Sequence, residues 1–183
     1  VKIKKLPLKL NPSLAFFLGF ALAEGCIVEN NKKHYKKLIL SSSDKKIALK
    51  ILKILKENFS DLDVYFQKRE PLGFTKKPYY SLEICSSYVV EFFENLGFKK
   101  CKAEEKEVPR IIFEGTKETV GAFLRGLFEG GGSVFGYSNK NSQIRLVSKS
   151  YQLIKTTQIL LLRFGITSFL RFDEKKNYFF LLI

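Results

Sequence analysis

The chain has 183 residues, 45% of them hydrophobic and 14% aromatic, with 18 Phe and neither Trp nor Met. That is enough apolar side chain for one large domain, or two smaller halves around a shared core, and it excludes a disordered tail. Thirty-two Lys and Arg against eighteen Asp and Glu leave a formal charge of +14, which points to a polyanionic partner, nucleic acid first, with a merely solubilising surface as the alternative.

The chain opens on a basic stretch, Val1 to Lys9, followed by no cleavable apolar segment, so no signal peptide is expected. The apolar run from Leu14 is broken by Glu24 and Gly25, well short of the about 20 residues a membrane span needs. It reads as a helix that stops at Gly25, followed by a strand. "YKKLILSSS" is a second strand, Asp44 caps the next helix, and strands follow over Asp61 to Arg69 and Lys77 to Ser86. A helix over Tyr88 to Leu96 leads into the charged stretch "KKCKAEEKEVPRIIFEG". The pattern then restarts. "LRGLFEGGGSVF" is an apolar helix, a glycine stop and a strand, and "NSQIRLVSKS" is a strand ending at a helix cap, Ser148. Strands over Ile166 to Asp173 and Asn177 to Ile183 close the chain.

Aligning Gly25 with Gly132 superimposes the two runs, so the chain reads as an internal duplication of an αββαββ unit. The fold class is α+β: two pseudo-symmetric repeats, 1–100 and 116–183, joined by a connector, 101–115. Cys26, Cys85 and Cys101 are odd in number and far apart, which favours a reducing, cytoplasmic setting without disulfides. His34 is the only histidine, so neither a zinc site nor a Ser-His-Asp triad is expected.

Gly19 and Ala23 in the first apolar helix, and Gly126 and Gly130 in the second, recur at i, i+4. Small residues at that spacing let two helix backbones approach closely. The two helices are expected to pack on each other about a pseudo-twofold axis; separate packing on their own sheets is the alternative. Their C-terminal ends then meet, and Glu24 lies at that point. A carboxylate at a helix C-terminus opposes the helix dipole unless a cation is near, which makes Glu24 a candidate ligand for a hard divalent metal such as Mg²⁺ or Mn²⁺.

"FLGFALAEG" and "LRGLFEGGG" resemble two copies of the LAGLIDADG motif of homing endonucleases, closest to the DOD-type branch of inteins and archaeal introns. The connector "EKEVPRIIF" and the passage "LLLRFGITSFL" extend the resemblance over nearly the whole chain. It implies a monomer whose paired motif helices sit at the centre of a saddle of antiparallel sheets. It also implies double-stranded DNA with a long pseudo-palindromic site as partner, and two-metal phosphodiester hydrolysis by Mg²⁺ or Mn²⁺. Some relatives bind intron RNA as splicing maturases. The penultimate motif position carries an acid in the family; here it is Glu24 in the first copy but Gly131 in the second. Glu129, a catalytic candidate by proximity, lies two residues earlier, about 200° away around an ideal helix. The resemblance makes Lys106, in "KEVP", an active-site lysine, and Lys175 or Lys176 a counterpart in the second copy. The expected activity is thus an endonuclease that is impaired or nicks one strand, with a catalytically inactive DNA binder or a maturase as the alternative.

If the family's saddle geometry holds, alternate strand residues after each acid are expected to face DNA: Val28, Asn30 and Lys32, then Phe135, Tyr137 and Asn139. Apolar neighbours turned inward, among them Leu38, Leu40, Val64, Phe66, Ile144 and Leu146, leave Tyr35, Lys37, Tyr65, Gln67, Arg69, Gln143 and Arg145 outward. Arg matches guanine and Gln or Asn matches adenine in the major groove.

Overall fold

A computed structural model describes residues 6, 7, 9–30, 35–59, 61–71, 77–136 and 142–183. Lys32, Tyr137 and Asn139 lie outside the described residues, as does His34. The first half runs α1 (Pro12–Glu24), β1 (Gly25–Asn30), β2 (Tyr35–Ser42), α2 (Lys45–Asn58), β3 (Val64–Arg69), β4 (Tyr79–Ile84) and α3 (Ser87–Asn95). A 3₁₀ turn (Ala103–Glu105) and the short α4 (Arg110–Phe113) interrupt the connector. The second half runs α5 (Lys117–Gly131), β5 (Gly132–Phe135), β6 (Gln143–Ser148), α6 (Tyr151–Leu162), β7 (Phe169–Asp173) and β8 (Tyr178–Leu182). Both sheets are antiparallel and four-stranded, in the orders β1-β2-β4-β3 and β5-β6-β8-β7. The internal duplication is therefore real at the level of topology.

Helix α1 starts where Asn11 accepts from the Leu14 amide and Pro12 pre-sets the first turn. Every residue from Leu14 to Leu22 is buried. A helix apolar on all sides needs partners on all sides. Here α5 covers one flank, and Phe93 of α3 stacks on Phe17 at 4.6 Å on another. Burying Phe16, Phe17 and Phe20 stabilises the centre by about 1.5–3 kcal/mol each.

Asp44 caps α2 as expected, accepting from the Lys46 amide at 2.7 Å. The cap of α6 is Ser150, not Ser148. Ser148 is still strand, paired with Phe179, and its hydroxyl accepts from the Ser150 amide. The buried Ser150 hydroxyl takes the Leu153 amide.

The halves differ in one respect that their topology hides. Helix α3 covers β2, and Leu38 is 0% exposed. Ile144, its counterpart on β6, shares the inner face with Leu146 yet is 43% exposed, because no described element occupies the place of α3 in the second half. Ile144 is thus inward by register only.

Candidate active site and nucleic-acid interface

Helices α1 and α5 cross backbone to backbone. A Cβ on Gly19 would collide with the Phe123 carbonyl and stand 2.7 Å from the Leu127 nitrogen. One on Gly126 would collide with the Phe16 carbonyl and stand 2.9 Å from the Phe20 nitrogen. Gly130 and Ala23 also face each other, since a Cβ on Gly130 would lie 2.6 Å from that of Ala23. The four small residues thus form one seam, and it brings the C-terminal ends of both helices together.

The glycine triplet after Glu129 divides by role. Gly130 is required by the seam. Gly132 is required by the helix end, where a Cβ would collide with the Phe128 carbonyl, as one on Gly25 would approach the Ala21 carbonyl at 2.5 Å. Gly131 is different: a Cβ there meets only the terminal Cδ1 of Leu146 at 3.2 Å and the Ala23 Cβ at 3.5 Å. A flexible leucine end can give way by that much. Nothing in the packing demands glycine at 131, the counterpart of Glu24.

Glu24 opens onto a cavity of about 390 Å³ that Lys106, Gly131, Ser148, Lys149 and Tyr178 also line. Lys106 reaches it from the connector. Val108 and Pro109 are buried, and the Ser150 hydroxyl donates to the Lys106 carbonyl, pinning the connector to the second half. The Lys106 ammonium donates to the Leu22 carbonyl at 2.7 Å and to that of Ala23 at 3.3 Å. It therefore caps the last turn of α1, whose carbonyls lack intrahelical partners and carry the negative end of the dipole. Burial lowers the Lys106 pKa, while Cys101, Glu24 and Cys26 act in the opposite sense. Burial of its carboxyl raises the Glu24 pKa above the usual carboxylate range, and the Lys106 charge pulls it back. The residue as a whole remains exposed, so the carboxyl sits at the mouth of the cavity rather than inside the core.

Glu129 is exposed and lines a separate depression with Arg125, Ser133 and Val134, and its charge acts on Lys50 of α2. It does not line the Glu24 cavity, as the helical angle requires. Lys175 and Lys176 lie in the exposed β7–β8 turn, and neither lines the cavity. The cation on the second-half side is Lys149, which lies 5.9 Å from the Tyr178 ring. Nothing local in the sequence marks it, because it meets Gly131 only in the folded cavity.

Whether these residues suit a divalent metal is decided by donor chemistry. Among the described residues no group of three or more His, Cys, Asp or Glu could hold a metal ion. Mg²⁺, however, keeps several waters and is bound by one or two carboxylates together with substrate phosphate oxygens. Glu24 meets that requirement on its side. The Gly131 side offers no carboxylate.

The outer faces of the sheets follow the expected alternation. In the first, register places Val28 beside Lys37, Asn30 beside Tyr35, and Gln67 and Tyr65 on the same face through Ser81 and Glu83. Lys37 and Arg69 both pair with Glu83, at 3.0 and 3.1 Å, so two candidate DNA contacts share one carboxylate. That hydrogen bond with Lys37 comes first in lowering the Glu83 pKa. In the second sheet Phe135 lies beside Gln143 and Ser133 beside Arg145. No helix among the described residues is long and apolar enough to cross a membrane.

Comparison with known proteins agrees with this architecture. The family described as LAGLIDADG-like domain matches residues 11–97 and 118–183. The chain is 30% identical over 179 residues to the DNA-directed RNA polymerase subunit Rpo1C of Methanocaldococcus jannaschii, covering 96% of this chain and 18% of that protein. It spans only 6–18% of the length of the curated relatives it matches. Among solved structures, I-DmoI in complex with DNA and Mn shares the fold at a TM-score of 0.68 and 16% identity, over 96% of this chain and 90% of that one. The N-terminal LAGLIDADG domain of DUF199/WhiA does so at 0.60 and 17% identity, over 96% and 77%. With the motif helices paired at the centre and the family matched in both halves, the chain belongs to the LAGLIDADG-like domain family.

Proposed function

We propose that the protein binds a long duplex DNA site across its two sheets and hydrolyses one strand of it, in a divalent-metal-dependent reaction on the Glu24 side. The observation that carries this reading is the unequal cavity: Glu24 and Lys106 on one side, Gly131 on the other. The net charge of +14 supplies the non-specific attraction to phosphate. The solved complexes of I-DmoI with DNA and Mn or Mg support both the partner and the metal class.

Glu24 would hold Mg²⁺ or Mn²⁺, which supplies Lewis-acid polarisation of the scissile phosphate and a more acidic bound water. Lys106 keeps the last turn of α1 closed and presents positive charge where negative charge develops on the phosphate. On the opposite strand Gly131 offers no ligand, and Lys149 can bind a phosphate without activating a nucleophile. The host proteins that share this unit bear unrelated names, among them a replication factor C small subunit and an aminotransferase. That pattern supports an element carried as an insertion within other chains.

A second reading, binding without cleavage, is favoured by the same Gly131. Duplexes selected by binding from a random pool separate the two. In Mg²⁺, wild type nicks one strand, whereas Glu24→Ala binds with similar affinity and leaves both strands intact. If wild type and Glu24→Ala are equally silent, the protein is a binder only. A binding constant insensitive to salt would sink both.

A further inference from the structure

The outer faces of the two sheets are chemically unlike. The first presents mainly side chains that donate or accept hydrogen bonds, Tyr35, Lys37, Tyr65, Gln67 and Arg69, with Val28 and Ile39 as apolar members. On the second, Ser133 and Gln143 are polar, but register aligns Phe135 on β5, Arg145 and Val147 on β6, Leu182 and Phe180 on β8, and Phe169 on β7 into a mainly apolar surface. Phe169 is 72% exposed and Phe135 46%. These residues do not belong to the core, which ends at Leu146 and Leu181 on the opposite face. An exposed apolar cluster of this kind marks a surface that is covered in use.

Two cations share this face: Arg171, exposed on β7 beside Phe180, and Arg145 on β6. The Arg145 guanidinium lies 5.1 Å from the Phe135 ring and 5.3 Å from that of Phe180. Its Nε is buried without a hydrogen-bond partner among the described residues. Aromatic faces on either side orient the flat guanidinium before any ligand arrives.

In the major groove, an apolar side chain has one specific complement, the C5-methyl group of thymine. Resting on the DNA-binding reading above, we propose that the second sheet selects its half-site by thymine methyl groups, with Phe135, Phe169, Val147, Phe180 and Leu182 as the methyl-reading floor and Arg145, held between two of the rings, placing a guanine. The first sheet selects its half-site by hydrogen bonding. The target is therefore asymmetric in readout although the scaffold is pseudo-symmetric. The alternative occupant, unpaired bases stacked on the phenylalanines, follows the chemistry of single-strand binders and forms an arm of the test.

The test replaces thymine by uracil, which removes only the methyl group, in one half of a selected duplex at a time. Each contacted methyl lost weakens binding by about fourfold, the equivalent of one buried methylene. Uracil in one half is expected to weaken binding, uracil in the other to leave it unchanged, and Phe169→Ala or Phe135→Ala to abolish the difference. Both side chains are exposed, so the variants keep the wild-type melting temperature. Equal response of both halves, no response in either, or a response that survives both variants overturns the inference while leaving duplex binding intact. Preference for single strands over the selected duplex overturns it in favour of stacking. Failure to retrieve any duplex overturns the DNA-binding reading, and this inference with it.

Discussion

Replacing Gly131 with aspartate restores a carboxylate to the half-site that lacks one. The backbone accepts it: the added Cβ displaces a leucine methyl at 3.2 Å and touches Ala23 at 3.5 Å. An acid at a helix C-terminus costs about 0.3–1 kcal/mol, and repulsion from Glu24 adds to this. Leaving glycine in a helix returns a few tenths of a kcal/mol. The metal-free variant is therefore about 1 kcal/mol less stable, a fall of about 2–4 °C in Tm for a chain of this size. Mg²⁺ should recover that loss, raising the Tm of the variant more than that of wild type. A bound metal supplies several kcal/mol to phosphoryl chemistry. At about 1.4 kcal/mol per decade, second-strand cleavage should rise by about 10²–10⁴. The assay is a supercoiled plasmid carrying a selected site, with nicked circles and linear product resolved on a gel. Wild type should stop at the nicked circle, Gly131→Asp should run on to linear, and Gly131→Asn, of equal size but uncharged, should not. Linear product from wild type, or a stable Gly131→Asp that binds Mg²⁺ and only nicks, refutes the assignment of position 131.

Other outcomes follow from the same geometry. Lys106→Met leaves the Leu22 and Ala23 carbonyls without their donor and should destabilise by about 1–3 kcal/mol, seen in chemical denaturation, together with loss of nicking. Gly126→Ala forces a methyl into the α1 backbone, so its overpacking cost of about 1–3 kcal/mol or more outweighs the about 1 kcal/mol gained in helix propensity. Gly121→Ala, which meets the Phe164 ring at 3.4 Å, should be neutral or stabilising in the same melt. The raised Glu24 pKa has a signed consequence. Folded protein holds the Glu24 proton more tightly than unfolded chain, so metal-free wild type gains stability relative to Glu24→Gln as pH falls through the folded pKa, and loses it as pH rises. The Tm rise produced by Mg²⁺ must run the other way, shrinking as Glu24 protonates, and a pH-independent rise would show that Glu24 is not the ligand.

The duplicated αββαββ pattern, the close-packed helix pair and the candidacy of Glu24 and Lys106 were legible in the residues themselves. Each rests on local chemistry: hydrophobic period, small residues at i, i+4, a carboxylate at a helix end, a resemblance carried by contiguous motifs. The alternation of Leu38, Leu40, Val64 and Phe66 likewise fixed which strand residues share a face, because a strand has a period of two wherever it lies. What separates Gly131 from Gly130 and Gly132 was not legible. The letters are identical, and only the atoms brought against each Cβ from α1 and from the preceding turn distinguish a required glycine from a vacant one. The same holds for Lys149, which reaches the cavity because β6 and α6 fold beside α5, and for Ile144, inward by period but uncovered because no described helix stands where α3 stands in the first half. The pairing of Lys37 and Arg69 with one Glu83, and of Arg145 with Phe135 and Phe180, also depends on strand order. A chain's own periodicity says which way a side chain points, but long-range pairing alone decides what it meets there.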